Sequence, residues 1–337
     1  MVCLCMNVTD DPFAFMEEPM KSTGFSIALP FFVLGLALSF ANELQAQSRI
    51  VVPGTGKRVA SVGDDFEDEE WTYNFKMPKS SENIDKQRRG PFGRSANNRW
   101  YEGVKRGDPD LVKRVETPKG GLAGSKGALL LKSLNTGVPG KRSFKLQQDD
   151  FICNIHEKVG RTPVSREPSC VVRVYLPKVD TWENRTGPHF AFRIALETTV
   201  SKPKKGFLAI GSSKENEIYW PGMFIEFESK HDGKREYDSA WLRIRGDRLG
   251  HDFKGKQINQ AGWWTLGMSV SSDGAVHYFA KPGVDNLTRK DYITTQVPYS
   301  YRAERFRTFF FNVCNGDNGK TWSSDWIIDD PAFYISK

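Results

Sequence analysis

An all-β fold, a two-sheet antiparallel sandwich, is predicted for this 337-residue chain by three observations. Its short apolar runs alternate with a period of two, the pattern of strands that bury one face. Those runs are separated by Gly, Pro, Asn and Asp in a chain with 30 Gly, 18 Pro, 23 Phe, 10 Tyr and nine Trp, a composition of turns and β-formers. No amphipathic helical pattern is longer than three turns. About ten to fourteen strands in a core of about 210 residues suit two facing sheets.

The first element stands apart. Phe25 to Phe40 is a 16-residue apolar run that follows Lys21 and leads to Leu44-Gln45-Ala46. A basic start, a short apolar stretch and a small residue at the cut form the pattern of a secretory signal peptide, with cleavage expected near Ala46. The run is shorter than the roughly 20 residues that span a bilayer comfortably, so no stable membrane span is expected after cleavage. Met20 could open a compact signal by itself, which makes residues 1–19 a candidate over-extended start. Loss of residues 1–46 removes one base and five acids, raising the formal charge from +7 to +11. The expected address is secreted, periplasmic or cell-surface.

Residues 47–62 read as a polar leader, and 63–337 as a single domain. Its first strand is expected between Gly63 and Tyr73, behind the acidic entry Asp64 to Glu70. Residues 76–120 are basic and poor in aliphatics, which predicts a long loop or partly disordered insertion. Gly124 to Lys132 restores a strand.

Beyond it, period-two alternation divides each run into two faces. Val172, Val174 and Leu176 oppose Arg173 and Tyr175; Phe190, Phe192, Ile194 and Leu196 oppose Arg193 and Glu197. Met223, Ile225 and Phe227 oppose Glu226 and Glu228, and Leu242 and Ile244 oppose Trp241, Arg243 and Arg245. Trp264, Leu266, Met268 and Val270 oppose Trp263. Ser272-Asp273-Gly274 is a hairpin turn into the strand Ala275 to Ala280. Phe309 to Val313 and Trp326 to Ile335 supply the last strands.

The run Gly262 to Phe279, a Trp-led strand followed by Asp-Gly and a second strand, resembles the concanavalin A-like lectin/glucanase superfamily. Asp64 to Asp68 and Trp326 to Ile335 resemble the first and last strands of secreted bacterial jelly-roll modules of that kind. The resemblance implies a jelly-roll sandwich over about residues 63–336. Lectins, glycosidases, lyases and inert modules share such folds, so function must come from the site.

If the central strands are neighbours, the side chains opposite the core form one strip: Arg173, Tyr175, Arg193, Glu226, Glu228, Trp241, Arg243, Arg245 and Trp263, with His277 beside it. Aromatic planes suit the C–H face of a sugar, and planar polar groups suit its hydroxyls. Guanidinium groups pair bidentately with carboxylate or sulfate, so the expected partner is a polysaccharide or glycan of acidic character. The bland reading is a solvated lattice of cross-strand Glu–Arg pairs.

Enzymatic alternatives use some of the same residues. Glu226 and Glu228 share a face about 7 Å apart, a separation compatible with glycoside hydrolysis. The superfamily's retaining glucanases carry Glu-x-Asp-x-x-Glu, which Glu226-Phe-Glu228 does not match. A polysaccharide lyase needs a carboxylate neutraliser and a proton carrier, for which Arg193, His277, Tyr278 and Tyr175 have suitable types. No complete catalytic motif is present, so a carbohydrate-binding lectin-like module is expected first. A lyase or hydrolase comes second, and a structural envelope protein third.

Asp65, Glu67, Asp329 and Asp330 are candidate ligands for a structural Ca²⁺, against the reading of a solvated acidic turn. Cys153 and Cys170 could form a disulfide after export. A nucleic-acid partner for the basic insertion is not expected, because the export signal directs the chain elsewhere.

Overall fold

A computed structural model describes residues 49–75, 79–137, 140–203 and 211–336. The expected signal segment and its cleavage point lie outside the described residues. In chain order the strands begin with β1 Lys57–Gly63, β2 Tyr73–Asn74, β3 Arg94–Ser95, β4 Trp100–Glu102 and β5 Leu111–Glu116. Next come β6 Gly127–Lys132, β7 Gln147–Cys153, β8 Thr162–Pro163, β9 Ser169–Leu176 and β10 Gly187–Pro203. They are followed by β11 Ser212–Tyr219, β12 Gly222–Glu228, β13 Ser239–Arg245, β14 Asp252–Ile258 and β15 Gly262–Val270. The last are β16 Val276–Pro282, β17 Tyr292–Gln296, β18 Arg305–Asn315 and β19 Trp326–Ile335.

These strands form two sheets, and every pairing is antiparallel. The smaller runs β17-β16-β15-β9-β19-β6-β5, with β1 on β19; the larger runs β14-β13-β12-β10-β18-β7-β4-β3-β2, with β11 on β10 and β8 on β18. The inward half of each alternating run meets the other sheet: Phe306 of β18 lies 5.0 Å from Phe333 of β19, and Phe190 of β10 lies 5.2 Å from Trp326 of β19. Trp100 stacks on Phe151 at 4.7 Å, extending the aromatic core beneath the far end of the larger sheet. Burying large aromatics offsets the entropy of ordering this many strands.

The faces assigned from sequence hold. Val172, Val174, Phe192, Ile194, Ile225, Leu242 and Leu266 all belong to the core. The Asp-Gly hairpin also forms, with Val270 opposite Val276.

Four expectations are corrected. The polar leader contains β1, whose Lys57 pairs with Ile335. The acidic stretch after it is a set of turns, because its carboxylates bind nearby backbone amides: Asp65 accepts from Glu67 and Asp68 from Glu70. Within residues 76–120, β3 and β4 extend the larger sheet and β5 edges the smaller, so the described part of this segment is built into the fold. Lys79 anchors it, buried in ion pairs with Asp149 at 2.9 Å and Asp110 at 3.0 Å. Finally, Cys153 and Cys170 are buried free thiols, not a disulfide. They lie in strands of opposite sheets, and burial raises the pKa of both.

Candidate binding face on the larger sheet

The expected strip divides between the two sheets. Arg173, Tyr175 and Trp263 lie on β9 and β15 of the smaller sheet; Arg193, Glu226, Glu228, Trp241, Arg243 and Arg245 lie on β10, β12 and β13 of the larger. Periodicity gave each residue its face but not the neighbour of each strand.

The outer side of the smaller sheet is covered by other parts of the chain. Arg173 is 4% exposed and is held by Asp330 at 2.8 Å and by Asn286 at 2.9 Å. Trp263 donates to the Pro118 carbonyl at 3.2 Å and packs edge-on against Tyr175. Residues 50–54 cross the same face, where Ser269 Oγ donates to the Val51 carbonyl at 2.6 Å. His277 is buried, its Nδ1 lies 2.7 Å from Thr295 Oγ1, and burial brings its pKa down to about 4. Tyr278 points into the core and donates to the Arg245 carbonyl at 3.1 Å. His277 is therefore not brought together with Arg193, and Tyr278, which feels the Arg193 charge, has its hydroxyl bonded inside the core.

The outer side of the larger sheet carries charged and polar groups around the buried rings of Phe224 and Phe310. On β12 and β13, register sets Glu226 beside Trp241 and Phe224 beside Arg243. Arg243 makes a bidentate pair with Glu226, donating from Nη2 at 2.6 Å and from Nε. Arg245 pairs with Asp252 of β14 through bonds of 2.9 and 3.0 Å. Glu228 accepts from Lys254 at 2.6 Å and Arg235 at 3.2 Å, and Lys254 Nζ sits 4.7 Å above the Trp241 ring. Burial works against ionisation of Glu228, but the bonds from Lys254, Ser239 and Arg235 bring its pKa down to about 2. It is thus ionised near neutrality and is not placed to act as a general acid.

Arg193 lies at the centre of this face, 4% exposed. Gly222 opposite it is required by space: a Cβ there would fall 2.5 Å from Arg193 Cγ. The guanidinium donates to the Trp220 carbonyl at 2.7 Å and lies over the rings of Phe224 and Phe310, at 5.3 and 5.4 Å. Among the described residues no carboxylate is within ion-pair distance of it. Burial, then Arg245 and Arg106, lowers its pKa to about 9, so it keeps its charge at neutral pH. Asn312 bridges it to Asp150, accepting from Arg193 and donating to the carboxylate. Burial raises the Asp150 pKa to about 6, against the pull of Arg106, Arg193 and Asn312.

Asp150 and Phe310 carry no signal in the sequence pattern, while Arg106 is legible only as one base of the insertion and Phe224 only as an outward-facing ring. Asn312 was legible in principle, as a lone amide inside the apolar run Phe309–Val313. Arg106 and Asp150 reach Arg193 only through the β10-β18-β7 order.

The proposed calcium ligands have separate partners. Asp330 pairs with Arg58 and Arg173, Glu67 accepts from the amides of Lys126 and Gly127, and Asp329 accepts from Ser125. Asp65 caps its own turn. Among the described residues no group of three or more His, Cys, Asp or Glu is placed to hold a metal ion. No helix there is long and apolar enough to cross a membrane.

No family model matches the sequence, and no curated protein is similar to it. Solved structures are similar to the chain only at low identity and low TM-score. The catalytic domain of a GH131 β-glucanase from Podospora anserina has a TM-score of 0.38 and 13% identity, covering 82% of this chain and 97% of that one. An alginate lyase from Pseudomonas aeruginosa has a TM-score of 0.34 and 9% identity, covering 68% and 84%. Peanut lectin has a TM-score of 0.33 and 11% identity, covering 66% and 88%. Likeness at this level carries no function across. The fold rests on the chain's own strand pairing: two antiparallel sheets face to face, the sandwich that the concanavalin A-like resemblance implies.

Proposed function

We propose that this is an exported protein that binds an acidic polysaccharide along the outer face of its larger sheet without cleaving it. The supporting observation is a surplus of cations. Arg193 and Arg106 act on the single carboxylate of Asp150, and Arg161, Arg305 and Arg307 face two carboxylates, Glu197 and Glu304, whereas Lys254 and Arg235 are matched by Glu228 and Asp232. Paired Glu–Arg groups neutralise one another, as the bland reading requires, but shared carboxylates leave positive potential along the face. Carboxylate or sulfate groups repeated along a glycan would meet it, with Arg243 and Trp241 as half-buried contacts.

The test is affinity electrophoresis of the chain in gels containing alginate, pectate, chondroitin sulfate or a neutral glucan. Retardation by an acidic polymer alone, weakened by added salt and by the pair Arg243→Ala and Lys254→Ala, is the expected result. Equal retardation by the neutral glucan would overturn the acidic partner. Release of unsaturated uronate or new reducing ends would replace the binding module with a lyase or a hydrolase. Failure to bind any polymer would favour the structural envelope protein.

A further inference from the structure

At one end of the sandwich, away from the Arg193 cluster, the β9–β10 and β18–β19 loops and the end of β6 enclose a cleft of about 390 Å³. That is a small-molecule size rather than a groove for a long polymer. Trp182 and Trp322 both line it. Trp182 is packed edge-on against Trp326, whereas Trp322 is 41% exposed, although an indole is ordinarily among the most buried side chains. Lys132 helps hold Trp322, with its Nζ 5.7 Å from the ring.

The surrounding loops are pinned before any ligand arrives. The Glu183 amide donates to Ser324 Oγ at 2.9 Å, Ser323 and Ser133 are bonded in both directions, and the Trp182 indole donates to the Pro177 carbonyl. Asn184 is fixed by Ser229 Oγ at 2.6 Å through its carbonyl oxygen, which leaves its amide nitrogen as a donor. The charges differ from those on the sheet face. Lys132 pairs with Asp325 at 2.6 Å and Glu183 with Arg185 at 3.1 Å, so no cation is in surplus.

We propose that this cleft is a second carbohydrate site, taking a neutral sugar ring from the end of a glycan with Trp322 as its stacking surface. An accessible aromatic plane beside amide, hydroxyl and carboxylate groups suits a ring with one C–H face and a rim of hydroxyls. The absence of surplus charge selects an uncharged ring. The site is independent of acidic-polymer binding on the sheet.

Saturation-transfer NMR on the full chain with maltotriose, cellotriose, mannotriose and triacetylchitotriose tests it. Transfer to the ring protons of at least one trisaccharide is expected, with affinity reduced about tenfold by Trp322→Ala, the loss of one aromatic contact. Asn184→Ala should also weaken it, and the sheet variant Arg243→Ala with Lys254→Ala should leave it unchanged. Trp322 is at the surface, so its variant should melt as the parent does. No transfer to any of the four sugars, or an affinity left unchanged by Trp322→Ala, overturns the proposal. Loss of acidic-polymer binding with trisaccharide binding intact would remove only the reading of the sheet face.

Discussion

Asp150 shows how one buried carboxyl can set the charge of a whole face. Burial outweighs its attraction to Arg106 and Arg193 and raises its pKa to about 6. Protonation removes the charge that offsets Arg193, so binding of an anionic polymer should tighten as pH falls from 7.5 through 6. A unit charge about 15 Å away at an effective dielectric of about 20 contributes roughly 1 kcal/mol, or about fivefold in affinity. Asp150→Asn should give the tighter binding at pH 7.5 and abolish the change with pH. The same titration in the variant checks this, and an unchanged pH dependence would assign the effect to another group. No pattern in the sequence marks Asp150, because Arg193 is 43 positions away and meets it only through Asn312.

At the scale of elements, β1 depends on one glycine. Gly63 has φ of +79°, and a Cβ built on it would lie 1.9 Å from the Pro331 carbonyl oxygen, where β1 crosses β19. Gly124 shares the left-handed backbone, φ +85°, but a Cβ there meets nothing within 4 Å. Gly124→Ala should therefore cost about 1–2 kcal/mol from backbone strain alone, and Gly63→Ala a further 1–2 kcal/mol or more from overlap. Urea denaturation of the two variants distinguishes the contributions; equal losses would show that β1 yields without strain. The first strand begins earlier than apolar content predicts. Lys57–Gly63 is mostly exposed, and it is a strand because β19 offers it an open edge. The basic segment misled for a related reason. Its short strands are stabilised by pairing with β7 and β6, and Lys79 is buried by carboxylates that lie elsewhere in sequence.

The whole molecule should show a level stability profile at mildly acidic pH and a sharp loss below it. Burial raises Asp108 to about 7 and Asp329 to about 6, alongside Asp150. These groups take up protons in the folded state first, so folding gains as pH falls from about 7 toward the ordinary carboxylate range. Burial lowers His189 to about 3 and His277 to about 4, so their contribution is complete above the ordinary His pKa near 6.5 and declines below it. The two trends oppose each other between pH 7 and about 4.5. Below that, Glu157 and Glu228, both near 2, are protonated more readily when unfolded, and their contribution is lost as well. Melting temperatures across pH 3 to 8 check this; a steady decline from pH 7 would mean that the two histidines outweigh the carboxyls.

Alternation by itself determined the sandwich class, the inward aromatics and the outward side of each central strand, because a pleated strand has a fixed side-chain period of two. The Asp-Gly hairpin was equally legible, since its turn is encoded locally. Only the tertiary structure decided that β9 and β15 leave the sheet of β10, β12 and β13. That division took Arg173, Tyr175 and Trp263 beneath covering segments and left Arg193, Trp241, Arg243 and Arg245 on the candidate face. Strand order depends on which edges meet across long stretches of chain, and no local pattern records it.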